Sequence, residues 1–266
     1  MIKTLIPELT EHLKSLRIPR YSTVIIHSSL FHFGQFDGGV RRFFRMIEEV
    51  FDETHTVIMP AFNWEFATVK YWNYHSTKSQ CGVLTEYMRK LPDTSRTIHP
   101  FHSVSVRGPN RDRFTAQVCS SSFGSGSVFE TLYNLSAFNL SLGSPFVGGA
   151  SFCHYVEELL RVPYRYYKYF EGEVVNQHSV IVDTRFSMYV RQIETAYEFV
   201  NTWGVLWEDL LAHDVVHYER YNGFTPILLM GVRDVHDLLA ERIAKDPYYV
   251  AKKVPLVTDA KVATGS

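Results

Sequence analysis

Apolar residues at Leu5, Leu9, Leu13 and Leu16 recur at helical spacing and predict an amphipathic helix near the start of the chain. The β-branched run Thr23-Val24-Ile25-Ile26-His27 follows and ends in Ser28 and Ser29. It predicts a buried strand that delivers small polar groups at its carboxyl end. A glycine-containing loop over 33–39, a helical pattern over 40–51 and a second strand over 56–59, stopped by Pro60, complete the first sixty positions. Helix, strand, glycine loop, helix and strand in that order are the rhythm of an α/β domain with at least one parallel pair.

Between 63 and 79 the periodicity fails, and Trp64, Tyr71, Trp72 and Tyr74 stand among polar residues. That composition predicts an aromatic-rich loop of the kind that walls a site. A short helix over 82–90 pairs Glu86 with Arg89, and strands are predicted over 103–106 and 138–142. The tract Val147-Gly148-Gly149-Ala150-Ser151 opens a helix running to Arg161. Later come a strand over 179–182 and helices over 194–200 and 235–244, with a frayed end at 263–266. The pattern holds no repeat, low-complexity tract or linker, so positions 1–266 read as one α/β domain, a central mixed sheet flanked by helices.

Composition narrows the classes. A formal net charge of -1 and 45% hydrophobic residues describe an ordinary globular chain with no basic excess for nucleic acid or a membrane surface. Cys81, Cys119 and Cys153 lack CxxC spacing and are odd in number, which suits reduced thiols. Glu8 and Glu11 fall where a signal peptide would need an apolar run, and no stretch approaches the roughly 20 apolar residues of a membrane helix. A cytoplasmic location follows as the expectation, and a homodimer is left open.

Ser151, His154 and Glu157 recur every three residues, which on one helix gives a hydroxyl, an imidazole and a carboxylate on a single stripe. A carboxylate fixes an imidazole's tautomer, and the imidazole then takes a proton near neutral pH. The same spacing also fits an amphipathic helix that carries the two residues incidentally. His27-Ser28-Ser29 followed by Gly38-Gly39 places a strand end before a glycine-opened helix, a form that cradles phosphates, although neither the dinucleotide fingerprint nor the P-loop pattern is present. His99 and His102 are separated by Pro100, which speaks against one helix face binding a metal. His213 and His217 mimic a zinc-protease spacing with Asp214 in place of Glu and no evident third ligand, so no metal is expected. No Gly-x-Ser-x-Gly elbow occurs.

Taken in order, these segments resemble the aminoglycoside 3-N-acetyltransferase family. The matching residues are His27-Ser28-Ser29-Leu30 with Gly38-Gly39, Val57-Ile58-Met59-Pro60, and Gly82-Val83-Leu84-Thr85-Glu86. Arg96 with His99-Pro100 and Ser103, Gly124-Ser125-Gly126-Ser127, Ser151-x-x-His154-x-x-Glu157 and Asp246-Pro247 continue the match. The resemblance implies direct acyl transfer from acetyl-CoA or another acyl-CoA to an amine. His154 would be the general base, Glu157 its orienting acid and Ser151, where the family usually has Thr, an oxyanion donor. It further implies that His27, Ser28, Ser29, Gly38 and Gly39 hold the coenzyme, with Arg96, His99 and Ser103 near the same cleft.

Ala61 stands where the family commonly has Thr, followed by Phe62-Asn63-Trp64, so the acceptor stretch is altered and Asn63 and Trp64 are expected at it. A second acid assisting the histidine is sought at Glu208 or Asp209. Aminoglycosides are polycations and call for carboxylates. Residues 161–169 are instead basic and aromatic, and Arg165 with its tyrosines suits an anionic or nucleotide-linked amino sugar, although a solvated basic loop would look the same. The expected substrate is therefore an amino sugar of polysaccharide biosynthesis. The alternatives are an aminoglycoside and, in another class, a non-catalytic coenzyme- or sugar-binding relative.

Overall fold

The computed structural model describes residues 4–255 apart from Gln117, Asp183, Thr184 and Thr195, so the predicted frayed end lies outside the described residues. Its strands in chain order are β1 (Thr23–Ser28), β2 (Thr56–Pro60), β3 (Tyr71–Asn73), β4 (Ser95–Arg96), β5 (Val104–Arg107), β6 (Phe138–Leu142) and β7 (Arg165–Glu171). β8 (Glu173–Val175), β9 (Arg185–Arg191), β10 (Tyr197–Asn201), β11 (Val216–Tyr221), β12 (Thr225–Gly231) and β13 (Ala251–Pro255) follow. Seven of them build a mixed sheet in the order β11-β12-β6-β1-β2-β5-β4. Both neighbours of β1 run parallel to it, whereas β12 and β5 are antiparallel to β6 and β2.

Side-chain alternation along β1 divides the core in two. Val24 and Ile26 enter one cluster with Val57, Met59, Leu140 and Leu142, covered by the helices Ile6–Ser15 and Gly39–Val50. Ile25 enters the other with Ile58, Val104 and Leu228, covered by the helices Cys153–Leu159, Trp203–Ala212 and Val232–Lys245. Each such aliphatic side chain, fully buried, contributes about 1.5–3 kcal/mol.

The chain leaves β1 toward β2 on one side and later returns to place β6 on the other. That reversal opens a crevice at the carboxyl ends of β1 and β6, the usual ligand position in an open α/β sheet. Gly143 follows β6 there with φ +71, and a Cβ on it would lie 2.5 Å from the Ser29 carbonyl oxygen. Its N–H donates to the Pro226 carbonyl at 2.8 Å, which ties in β12 as well.

The amino half follows the hydrophobic pattern except over 63–79, where the expected loop holds the helix Phe66–Val69 and β3 and buries Trp72 completely; the carboxyl half departs further. Residues 194–200, expected to be helical, contribute β10, which pairs with β13. Apolar Phe199 is buried and its neighbours are half-buried, the alternation of a strand. Residues 179–182 form no named strand; a single bridge joins Ile181 to Val175. The segment 161–169 is no solvated loop, because β7 pairs along its length with β9.

Replacing Gly143 with alanine combines a left-handed backbone with a carbonyl clash, so Gly143→Ala should cost at least ~1–3 kcal/mol. The denaturant midpoint, compared at unchanged slope, measures the loss.

Candidate active site

The segment expected as one helix is broken into three. An α-turn over Phe146–Gly149 and a 3-10 turn over Ala150–Phe152 precede the α-helix Cys153–Leu159. Asn139 on β6 donates from Nδ2 to the Gly149 carbonyl at 2.9 Å, and the Cys153 N–H reaches back to Ala150 instead. The single stripe is thereby corrected: His154 and Glu157 share an α-helical face, whereas Ser151 lies in the tighter turn before it, half-buried.

Glu157 is the centre of a closed set of contacts. Its side chain has no exposure, and Oε2 lies 2.5 Å from His154 Nδ1 and 3.0 Å from Arg165 Nη2. The Tyr164 hydroxyl donates to Oε1 at 2.6 Å. Arg165 is itself fixed, with Nη1 donating to the Tyr189 carbonyl at 3.0 Å and Nη2 near Asn201 Oδ1 at 3.3 Å. An ionised carboxylate only accepts, so the proton in the 2.5 Å contact sits on Nδ1; Arg165 Nη2, 3.1 Å from the same nitrogen and itself only a donor, then donates to Oε2, and the Nε2 lone pair is left free. Nε2 has no hydrogen-bond partner among the described residues.

Electrostatics supports the same assignment. Burial pushes the Glu157 pKa up, but His154, Arg165 and Tyr164 outweigh it and the carboxyl is held below its ordinary value. Burial and the Arg165 charge lower His154 further than Glu157 raises it, so the imidazole is neutral at pH 7. A neutral, oriented imidazole with one free nitrogen can accept a proton.

Aromatic rings flank the imidazole. Phe123 meets His154 edge-on at 5.0 Å and Trp203 lies 5.5 Å away. Beyond Phe123 the row continues to His102 at 4.5 Å and then to Trp64 at 5.0 Å, which is half exposed at the surface. Trp64 therefore ends a row of packed rings that runs from the surface to His154. Asn63 caps the turn beside it, accepting from the Glu65 N–H and donating to the Lys78 carbonyl.

Other expected residues are turned inward. Arg96 is buried and donates to Ser103 Oγ and to the carbonyls of Ala61, Tyr74 and Thr77, with its guanidinium over Trp72 at 4.6 Å. Ser103 is fully buried and donates to the Ala61 carbonyl. His99 accepts the N–H groups of Phe101 and His102 on Nδ1 and so stabilises its own turn. Arg96 and Ser103 thus hold the 61–77 segment in place through bonds inside the fold. Arg165, expected at the substrate, instead faces Glu157.

At the crevice, His27 is buried on the Ile25 side of β1, opposite Ser141 of β6, while Ser28 and Ser29 are half-buried at the strand end. Gly38 and Gly39 both have positive φ and open the helix Gly39–Val50 without a side-chain cap. Past them, Arg41, Arg42 and Arg45 line a groove of about 730 Å³ and pair with no carboxylate among the described residues. Asp209 is occupied by Arg242 and the Tyr249 hydroxyl, both at 2.6 Å, and Glu208 is exposed. His213 closes the helix Trp203–Ala212 while His217 lies on β11, so the pair shares no helical face.

Sequence reasoning missed Tyr164, Phe123, His102 and Trp203 as site residues. Tyr164 in the turn before β7 and Arg165 at the start of β7 reach Glu157 from beyond helical spacing, and the rings come from two loops and the start of the helix Trp203–Ala212. Tyr164 lies seven residues after Glu157, close enough that a hairpin reading of 161–169 would have found it.

Burial holds His27 to a pKa of about 4 and His99 to about 3. Each takes up a proton on unfolding below pH 6.5, so the stability they protect is complete above that value and is lost as pH falls toward 4. Urea midpoints across that range should decline; a flat profile would contradict the buried neutral state.

Comparison with known proteins gives consistent results. The family model of the aminoglycoside 3-N-acetyltransferases matches residues 25–244. The SPbeta prophage-derived aminoglycoside N(3')-acetyltransferase-like protein YokD of Bacillus subtilis (strain 168) is 27% identical over 180 residues, 59% of this chain. The chain spans 65% of that relative's length in the alignment. By structure, YokD matches with a TM-score of 0.76 at 18% identity, over 92% of this chain and 95% of that one. AAC-IIIb in binary complex with CoASH matches with a TM-score of 0.78 at 17% identity, over 91% and 97%. An AAC(3)-IVa mutant in complex with a gentamicin gives 0.77 at 17%, over 94% and 92%. With a family match that runs from β1 through the His154–Glu157 helix to the last helix, the chain belongs to the aminoglycoside 3-N-acetyltransferase family.

Proposed function

We propose that the protein transfers a small acyl group from an acyl-CoA, acetyl-CoA by default, directly to the amine of an amino sugar, with His154 as general base. The carrying observation is the buried Glu157 carboxylate on His154 Nδ1, which leaves Nε2 free on an imidazole flanked by Phe123 and Trp203. Family membership supports the reaction type, and the CoASH held by AAC-IIIb supports the donor.

The substrate amine attacks the thioester carbonyl. As the N–C bond forms, the amine proton passes to Nε2; collapse of the tetrahedral intermediate breaks the C–S bond, and the imidazolium gives that proton to the leaving thiolate and returns to its neutral form. Glu157 stabilises the imidazolium formed in that step, and Arg165 and Tyr164 keep Glu157 ionised and oriented. Ser151 offers a hydroxyl to the oxyanion. His27, Ser28, Ser29 and the Gly38–Gly39 helix start receive the pantetheine and phosphates, with Arg41, Arg42 and Arg45 adding positive charge nearby. Arg165 acts through Glu157 in this reading and does not bind substrate.

An aminoglycoside acceptor is the second reading, favoured by the gentamicin bound to AAC(3)-IVa. A panel of amines with acetyl-CoA, followed by thiol release, separates the two: turnover confined to polyamines of the kanamycin type selects the second.

His154→Ala should lower kcat by about 10²–10⁴-fold with little change in the KM for acetyl-CoA. Glu157→Gln, which removes the charge that fixes the tautomer, should also lower kcat by 10²-fold or more, to about 10⁴. The acid limb of kcat/KM should lie below pH 6.5, since His154 is held below its ordinary pKa. Full turnover in His154→Ala would remove the base assignment.

A further inference from the structure

Glu158 stands next to Glu157 on the helix Cys153–Leu159 and is buried too, with 5% exposure. Successive helical residues point about 100° apart, so the two carboxyls meet different partners. Glu157 takes the imidazole, whereas Glu158 Oε1 accepts from the Ser121 hydroxyl at 2.9 Å. A buried carboxyl is costly unless it is hydrogen-bonded. Burial pushes the Glu158 pKa up, and the Ser121 hydroxyl offsets part of that rise. No step of the acyl transfer uses this group.

Ser121 passes the contact on. Its Oγ accepts the Gly124 N–H at 2.9 Å and closes a turn around Phe123. The flanks of the loop are pinned as well: backbone bonds join Ser120 and Ser122 to Ser187 of β9, and Glu130 accepts the Gly126 N–H at 2.7 Å. Gly124 lies tightest against the carboxyl. A Cβ there would come within 2.4 Å of Glu158 Oε1 and 2.9 Å of Ser121 Oγ. That close approach accounts for the first residue of the Gly124-Ser125-Gly126-Ser127 stretch.

The turn carries a ring that meets His154. Among the described residues, the hydrogen bonds of the imidazole all lie at Nδ1, so its tilt is left to the rings packed on it. Phe123 is buried and meets it edge-on at 5.0 Å, and Trp203 lies 5.5 Å away.

We infer that Glu158 is a positioning residue of the active site: through Ser121 and Gly124 it sets where Phe123 lies against His154, and hence where Nε2 points. Two neighbouring carboxyls on one helix then hold the imidazole, Glu157 by a hydrogen bond and Glu158 by way of the loop. The consequence for turnover rests on the proposed acyl transfer, but the placement of the ring can be measured without it.

The His154 Hε1 proton resonance, displaced by the ring current of Phe123, reads that placement, and Phe123→Leu gives its position without the ring. Glu158→Met keeps the side-chain length but removes the acceptor, and should move the resonance toward the Phe123→Leu value. Ser121→Ala should move it the same way, and combining the two should add little. Glu158→Gln retains an acceptor oxygen and should stay at the wild-type position. With an amine that the wild type acylates, Glu158→Met should lower kcat about tenfold at unchanged KM for acetyl-CoA, because small misplacements of a reacting group are costly. Thermal melting checks that each variant is folded. A resonance unmoved in Glu158→Met and Ser121→Ala, or moved as far by Glu158→Gln, overturns the inference, as does a wild-type kcat in Glu158→Met. A moved resonance without thiol release for any amine would instead retain the positioning and discard the acyl transfer.

Discussion

A carboxylate with no solvent contact is the constraint around which this protein is arranged. An unpaired buried charge costs several kcal/mol, and removing one partner of a buried pair typically costs about 3–5 kcal/mol. Glu157 is tolerated because His154, Tyr164 and Arg165 all converge on it. Arg165 belongs to β7, and its own contacts extend to Tyr189 on β9 and Asn201 on β10. The charge on one helix thus fixes the position of three strands that lie outside the main sheet.

The same arrangement produces the chemistry. Since Glu157 must accept from every neighbour, it decides which nitrogen of His154 carries the proton. Because burial, and then the Arg165 charge that shares Oε2, outweigh Glu157, the imidazole stays neutral, available as a base rather than locked as half of an ion pair. The aromatic row from Trp64 through His102 and Phe123 packs against the imidazole of His154, and Trp203 lies against it as well.

What the sequence made legible follows interaction range. Val24-Ile25-Ile26 and Val57-Ile58-Met59 are continuous apolar runs because both sheet faces are covered, so β1, β2 and the helix between them could be read locally. His154 and Glu157 were readable because a three-residue spacing on a helix is itself a contact. Arg165 was singled out for its charge but given to the substrate, since nothing local showed that its partner was Glu157. Arg96 and Ser103 were picked out by the family pattern, and the hydrogen bonds that explain them run to Ala61, Tyr74 and Thr77. β10 was taken for a helix because a five-residue strand with one buried apolar position has too little period to oppose a helical reading.

The central claim is that Glu157 holds His154 as the neutral Nδ1–H tautomer with Nε2 free. Nitrogen-15 chemical shifts of the His154 ring at pH 7, with His154→Gln to assign the signal, test it most directly. The account predicts a pyrrole-type shift at Nδ1 and a pyridine-type shift at Nε2. A proton on Nε2, whether in the other tautomer or in an imidazolium, would contradict it.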